Sequence, residues 1–255
     1  MRILISNDDG ILAPGLAALY HAVADLGEVE VVAPETTQSA MGHAISVLKP
    51  LAVRKVHVAQ SFHGYSVDGR PADCVKLGLM ELMAAKPDFV LSGINAGVNT
   101  GMNVLYSGTV AAAAEGAFFG IPSIAFSLEL SDELDFQRAG SIARTIFQRF
   151  ARSKPPSGMC LNVNIPALDA GWPLGVRVCP QSTSQMEDFY TREMHEHGHS
   201  IYMLDGRMPD ANSHPESDLA AIRERYVAIT PLRFDMTDHR VLGQVGAWEW
   251  PGAFE

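Results

Sequence analysis

The stretch RILISNDDG, residues 2–10, decides how the rest of the chain is read. Residues 2–6 form a short apolar run without polar alternation, which is the pattern of a strand buried on both faces of a parallel sheet. The run ends in two adjacent carboxylates, Asp8 and Asp9, followed by Gly10. Successive side chains of a strand point to opposite faces, so both acids converge only where the strand has ended and the chain turns. Gly10 permits that turn. Outward from it, Pro14 precedes an amphipathic helix over 15–26 (GLAALYHAVADL), and 29–33 (VEVVA) reads as the next strand, giving a βαβ unit.

The same alternation continues. Residues 71–85 (PADCVKLGLMELMAA) have helical spacing with a Pro in the first turn, 89–92 (FVLS) read as a buried strand, 109–119 as an alanine-rich helix and 123–127 (SIAFS) as a strand. Apolar strands separated by helices predict an α/β fold: a parallel sheet covered on both faces, in three α/β/α layers. A helix from after Ser131 to about Phe150 runs into KPPSG at 154–158, the clearest linker composition in the chain. Beyond it, 161–165 (LNVNI) and 176–179 read as strands, 182–207 as a polar hairpin, 218–225 as a short charged helix and 226–229 as a strand. There is no internal repeat. The expectation is one domain over 1–255, with an α/β core at 1–180 carrying the active site. Residues 181–255 are expected to form a hairpin and C-terminal extension that serves oligomerisation, since a long polar hairpin seldom folds alone.

Composition excludes several classes. The 255 residues are 47% hydrophobic and 19% charged, enough to bury a core and too apolar for wholesale disorder. Nineteen Lys and Arg against 29 Asp and Glu give a net charge of −10, which argues against a polymeric nucleic acid held by phosphate neutralisation. Cys74, Cys160 and Cys179 are odd in number and contain no CxxC pair, so they read as reduced structural residues. The apolar run before Asp8 is too short for a signal peptide, and the tract over 110–128 is interrupted by Glu115, Gly116, Gly120 and Pro122. A cytoplasmic protein without a membrane partner is expected.

Two further loops leave the carboxyl ends of predicted strands: 34–43 (PETTQSAMGH) and 93–101 (GINAGVNTG). A doubly wound sheet gathers such loops at one edge, where Asp8, Asp9, Ser39 and Asn95 can meet around one ion. Oxygen-only donors select a hard divalent cation over zinc, and two negative charges leave that cation able to take a phosphate as well. The plainer reading is an N-cap, a solvated turn acid and ordinary turn chemistry for Ser39 and Asn95. Ser107-Gly108-Thr109 stands at the mouth of the alanine-rich helix, where free N–H groups and the positive dipole end make a phosphate cradle and Gly108 allows close approach. A simple Ser or Thr cap accounts for the same residues. His43, close to Ser39, is a candidate polar contact in the site. His195, His197 and His199 share a strand face by spacing, yet HEHGHS inside a polar hairpin reads as a solvated turn around Gly198. Asp235 and His239 read as structural or interface residues.

The motifs ILISNDDGILAPGL, QSAMGHAI, DGRPADCVKLGL, PDFVLSGINAGVNTG and YSGTVAAAAEGAFFGIPSIAFS, with LNVNIP and SDLAAIRERYVAITPL further on, follow one another in the order seen in the SurE survival proteins, a family of metal-dependent nucleotidases that this chain resembles. The resemblance implies a Rossmann-like core and one divalent ion per subunit, Mg²⁺ or Mn²⁺, at Asp8, Asp9, Ser39 and Asn95. It also implies phosphate contacts at Asn99, Ser107, Gly108 and Thr109, nucleoside monophosphates as substrates, and homodimers or homotetramers built through the C-terminal part. Many relatives have Gly where this chain has Ala40, which bears on a backbone contact to phosphate, and Arg70 stands where Thr is usual. The hairpin over 185–206 matches loosely.

The reading is a phosphomonoesterase acting on nucleoside 5′-monophosphates, with 3′-monophosphates and short polyphosphate as further substrates, in which Asp8, Asp9 and Asn95 are catalytic and metal-activated water attacks phosphorus. The adjacent Asp pair lacks the D-x-D spacing of phosphoaspartate enzymes. NDDGILAPG is not a dinucleotide fingerprint, and two carboxylates repel a pyrophosphate. A receiver-like signalling module would need an acceptor Asp where Ser92-Gly93 stand. A non-catalytic metal- and nucleotide-binding scaffold of the same fold is the alternative.

Overall fold

The computed structural model describes residues 1–58, 62–184, 187–194, 200–207, 214–250 and 252. Its first half runs β1 (Arg2–Ser6), α1 (Pro14–Val23), β2 (Glu28–Pro34), β3 (Val53–Val58), β4 (Phe62–Val67), α2 (Pro71–Leu77), β5 (Phe89–Ala96), α3 (Gly108–Phe118) and β6 (Ser123–Leu128). The second half adds α4 (Phe136–Arg152), β7 (Cys160–Ile165), β8 (Val176–Val178), β9 (Glu187–Met194), β10 (Ser200–Arg207), α5 (Asp218–Arg223), β11 (Val227–Leu232) and α6 (Leu242–Gly246). Nine strands form one sheet in the order β3-β4-β2-β1-β5-β6-β7-β11-β8, and β9 and β10 pair separately as an antiparallel hairpin.

The central strands β4, β2, β1, β5, β6 and β7 are parallel, β3 is antiparallel to β4, and β11 is antiparallel to β7 and parallel to β8. Alternation along β1 shows why the sheet must be covered twice. Ile3 and Ile5 pack with Leu16, Leu19, Leu91, Phe126 and Phe147 on the α1 and α4 side. Leu4, between them, packs with Val32, Val75, Val90 and Ala112 on the α2 and α3 side. All three β1 residues are 0% exposed, and burying such side chains contributes about 1.5–3 kcal/mol each.

The α/β fold agrees with the sequence reading, and several boundaries do not. The predicted helix over 71–85 ends as an α-helix at Leu77 and finishes with a wider π turn over Gly78–Leu82. Strands β3 and β4 had no counterpart in the reading: VRKVHV and FHGYSV carry exposed Lys and His, because β3 lies at the edge of the sheet. The strand read as FVLS continues to Ala96 past a register shift between Ser92 and Asn95, so Asn95 sits on the strand end and not in a free loop. The hairpin over 182–207 is present as β9 and β10, while His195, His197 and His199 lie outside the described residues. Strand β11, from the last third of the chain, is inserted between β7 and β8.

Candidate active site

Strand order switches sides between the parallel strands β1 and β5: from β1 the chain proceeds to β2 and β4 on one side, and β5 and β6 are added on the other. The carboxyl ends flanking such a switch point leave a crevice that no crossover helix fills. Asp8 and Asp9 follow β1 at that crevice and Asn95 ends β5. Gly10, at φ 102°, makes the turn that lets both acids face the same space, and the Asn7 side chain braces it through Nδ2 donating to the Gly10 carbonyl at 2.9 Å.

A cavity of about 850 Å³ opens there, lined by Asp8, Asp9, Ser39, Asn95, Asn99 and Ser107 among others. Asp8 is 5% exposed, and its Oδ1 accepts a hydrogen bond from the Thr109 hydroxyl. Burial pushes the Asp8 carboxyl up to about 6, the Thr109 bond opposes the shift, and the neighbouring Asp9 charge adds to it. Asp9 is also raised by burial, offset by the Ala96 N–H that donates to Oδ2 at 3.4 Å. Asn95 Nδ2 donates to the Gly97 carbonyl at 2.6 Å, which leaves its Oδ1 as a donor of electron pairs. Two carboxylates that burial drives toward the neutral form, in a cavity with no lining Lys or Arg among the described residues, fit a hard cation that would supply the missing positive charge. Among the described residues no cluster of three or more His, Cys, Asp or Glu offers a softer site.

Ser107 combines both sequence readings of its position. It is the N-cap of α3, with Oγ accepting from the Val110 N–H at 3.1 Å, and it also lines the cavity with its own O–H available. Gly108 packs against Asp8 so closely that a Cβ would lie 2.7 Å from the Asp8 Cβ. Thr109 is fully buried with its hydroxyl committed to Asp8, and unlike Ser107 neither it nor Gly108 lines the cavity; both bear on the site through Asp8. His43 does not line the cavity; its ring turns away to Glu115. Asp235 and His239 pair with each other at 2.7 Å in an exposed segment.

The loop over 97–101 is pinned by β6 and by the second half of the chain. The Asn99 N–H donates to Asn164 Oδ1 at 2.7 Å, Asn99 Nδ2 to Ser127 Oγ at 2.8 Å, and Asn162 Nδ2 to the Asn99 carbonyl at 2.7 Å. Gly101 N–H donates at 2.9 Å to Asp218 Oδ2, a carboxylate that is 0% exposed. These supports were not singled out in the sequence; LNVNI carries two Asn inside a strand otherwise fit for the core, and that pattern is the signal. The cavity also takes Tyr106 and, from the hairpin, Asp188, Tyr190, Leu204 and Asp205. Tyr190 stands opposite Leu204 in the β9–β10 register.

Ala40, beside Ser39, holds φ 58°, a left-handed conformation that costs a residue with a Cβ about 1–2 kcal/mol. Ala40→Gly is expected to raise stability by about 0.5–1 kcal/mol, the relief being partly offset by the freer unfolded chain. Urea unfolding measures it, and an unchanged or lower midpoint would show that the turn is not strained.

A family model described as survival protein SurE matches residues 3–188. The chain is 42% identical to the 5′-nucleotidase SurE of Syntrophobacter fumaroxidans over 97% of this chain and 99% of that one. It is 44% identical to the 5′-nucleotidase SurE of Rhodopirellula baltica over 97% and 98% of the two chains. The crystal structure of the SurE protein from Aquifex aeolicus superposes with a TM-score of 0.83 at 36% identity, covering 96% of this chain and 98% of that one.

Proposed function

Since the chain belongs to the SurE survival-protein family, we propose that it is a 5′-nucleotidase whose reaction takes place at the Asp8–Asp9 crevice, on nucleoside 5′-monophosphates and, as further substrates, 3′-monophosphates and short polyphosphate. The observation that carries this reading is the convergence of Asp8, Asp9, Ser39 and Asn95 on the cavity that Asn99 and Ser107 also line. Asp8, Asp9, Ser39 and Asn95 would hold one divalent ion, Mg²⁺ or Mn²⁺. Bound there, such an ion supplies positive charge to the phosphate and lowers the pKa of water.

The chain's own residues do the rest. Asp8, fixed by Thr109, keeps its carboxylate aimed into the crevice, and the less buried Asp9 orients the attacking water. The Ser107 hydroxyl and the Asn99 side chain face the phosphate oxygens and stabilise the charge that spreads over them, while Gly108 and Thr109, in the first turn of α3, add the positive end of the helix dipole and hold Asp8 in place. Tyr106 and Tyr190 form walls against which the nucleoside rests. Oligomers, dimer or tetramer, use the 181–255 region of this single domain, a reading supported by exposed Tyr202, Met203 and Leu204 on the hairpin. No helix of the described residues is long and apolar enough to cross a membrane. Three free buried cysteines favour a reducing compartment, the cytoplasm.

Phosphate release from a panel of nucleoside monophosphates tests the reading. Release is expected to vanish with chelator and to return with Mn²⁺ or Mg²⁺. No release from folded, metal-loaded protein would remove the catalytic reading and leave a nucleotide-binding scaffold.

A further inference from the structure

The loop that carries Ser39 leaves β2 and runs to Pro50 without strand or helix, mostly exposed. It contains two left-handed residues in close succession, Ala40 at φ 58° and Gly42 at φ 55°. Such a turn keeps one shape only when its surroundings over-determine it. On the near side, Gln38 N–H donates to the Asp8 carbonyl at 2.7 Å and Gly42 N–H to the Tyr106 carbonyl at 2.8 Å. On the far side, Ser46 binds Asp73 through N–H and Oγ at 2.8 and 2.7 Å, and Arg70 reaches the Ile45 carbonyl at 2.8 Å.

His43 stands between these two sets of contacts. Its Nε2 lies 2.7 Å from Glu115 Oε2, and its ring stacks on Phe118 with centroids 4.9 Å apart and planes 2° from parallel. Glu115 is 3% exposed, and its other oxygen accepts from Lys76 Nζ at 2.6 Å. Burial raises this carboxyl, but the bonds from His43 and Lys76 outweigh it and hold it below the usual range. One buried carboxylate therefore joins the Ser39 loop, α2 and α3. It sits two turns along α3 from Gly108, on the helix whose first turn faces Asp8.

We propose that His43 and Glu115 are positioning residues: the His43–Glu115 bond fixes the Ser39 loop to the phosphate-facing helix α3, so that Ser39 is held where Asp8, Asp9 and Asn95 can share an ion with it. The inference rests on the metal reading of the preceding section. His43 touches neither the cavity nor the proposed ligands, so its effect passes through the loop. Without the bond, the loop stays tethered at Gln38, Gly42 and Ser46, but the exposed turn at Ser39 and Ala40 between the first two samples other positions, and apparent metal affinity falls with the fraction in the competent one.

The test uses the full chain with Mn²⁺ alone, followed by the EPR signal of free Mn²⁺, and then AMP hydrolysis across Mn²⁺ concentrations. His43→Ala is expected to weaken Mn²⁺ binding about tenfold, the scale at which supporting residues act on a metal site. KM should rise with it, while kcat at saturating Mn²⁺ stays within about threefold. His43→Gln, whose amide N–H can reach Glu115, should recover most of the affinity. A folded His43→Ala protein with wild-type Mn²⁺ affinity and KM overturns the proposal, as do equal losses in the Ala and Gln variants. Wild-type protein that binds no Mn²⁺ overturns the metal reading itself, and the positioning role with it.

Discussion

Asp8→Asn lowers metal-dependent phosphate release by about 10³-fold, the scale of losing a central electrostatic group from a reaction centre, while the fold survives. The shape of the side chain is kept, including an oxygen for the Thr109 hydroxyl, so the loss isolates the charge. In chelated protein the same change has the opposite sign for stability. Burial raises the Asp8 carboxyl from 3.8 to about 6, so the folded state holds its proton where the unfolded chain has released it. The contribution is present in full below pH 4, is lost as pH rises to about 6 and stays lost above it. Two pH units correspond to about 3 kcal/mol, an order of magnitude for what the metal-free Asn variant gains at pH 7.5. Chemical denaturation at pH 4 and pH 7.5 measures it: the variant's advantage should appear only at the higher pH. An equal advantage at both would mean that burial of the charge is not its source.

Gly108→Ala has the second largest effect. The new methyl would stand 2.7 Å from the Asp8 Cβ, 3.0 Å from its Oδ2 and 3.0 Å from Pro71 Cγ. None of these is the free end of a flexible side chain. Alanine is the better helix former by about 1 kcal/mol, yet overpacking costs about 1–3 kcal/mol, so the balance turns on how far Asp8 can retreat. Retreat moves the carboxylate away from the crevice, and a displacement on the order of 1 Å costs about 10²-fold in rate. A loss of that size in kcat with a melting temperature within a few degrees of wild type is expected. Wild-type kcat would show that the helix admits the methyl group without displacing Asp8.

How much of this was legible in the sequence depends on the range of the interaction. RILIS announced a buried strand because its apolar residues are contiguous, VEVVA did so with one Glu among β-branched residues, and Asp8, Asp9, Ser39 and Asn95 could be gathered because a doubly wound sheet brings their strand ends together. The edge hairpin VRKVHV and FHGYSV was not legible, since exposed Lys and His break the apolar pattern and pairing alone makes them strands. Thr109 illustrates a different limit. Ser-Gly-Thr at a helix mouth shows where donors gather, but only the approach of the first turn of α3 to the turn after β1 shows that the Thr hydroxyl serves Asp8. His43 was close to the site by number, yet its partner lies 72 residues away on another element.

The hydrogen bond from Gly101 to Asp218 spans 117 residues. During synthesis the segments that carry Asp8, Ser39 and Asn95 leave the ribosome while Asn162, Asn164 and Asp218 have yet to be made, so the backbone of the loop over 97–101 lacks the side chains that pin it. Contacts so far apart in the chain close late. A half-made chain therefore owns every group proposed for the reaction and lacks the frame that aligns them, and the finished geometry belongs to the complete polypeptide alone.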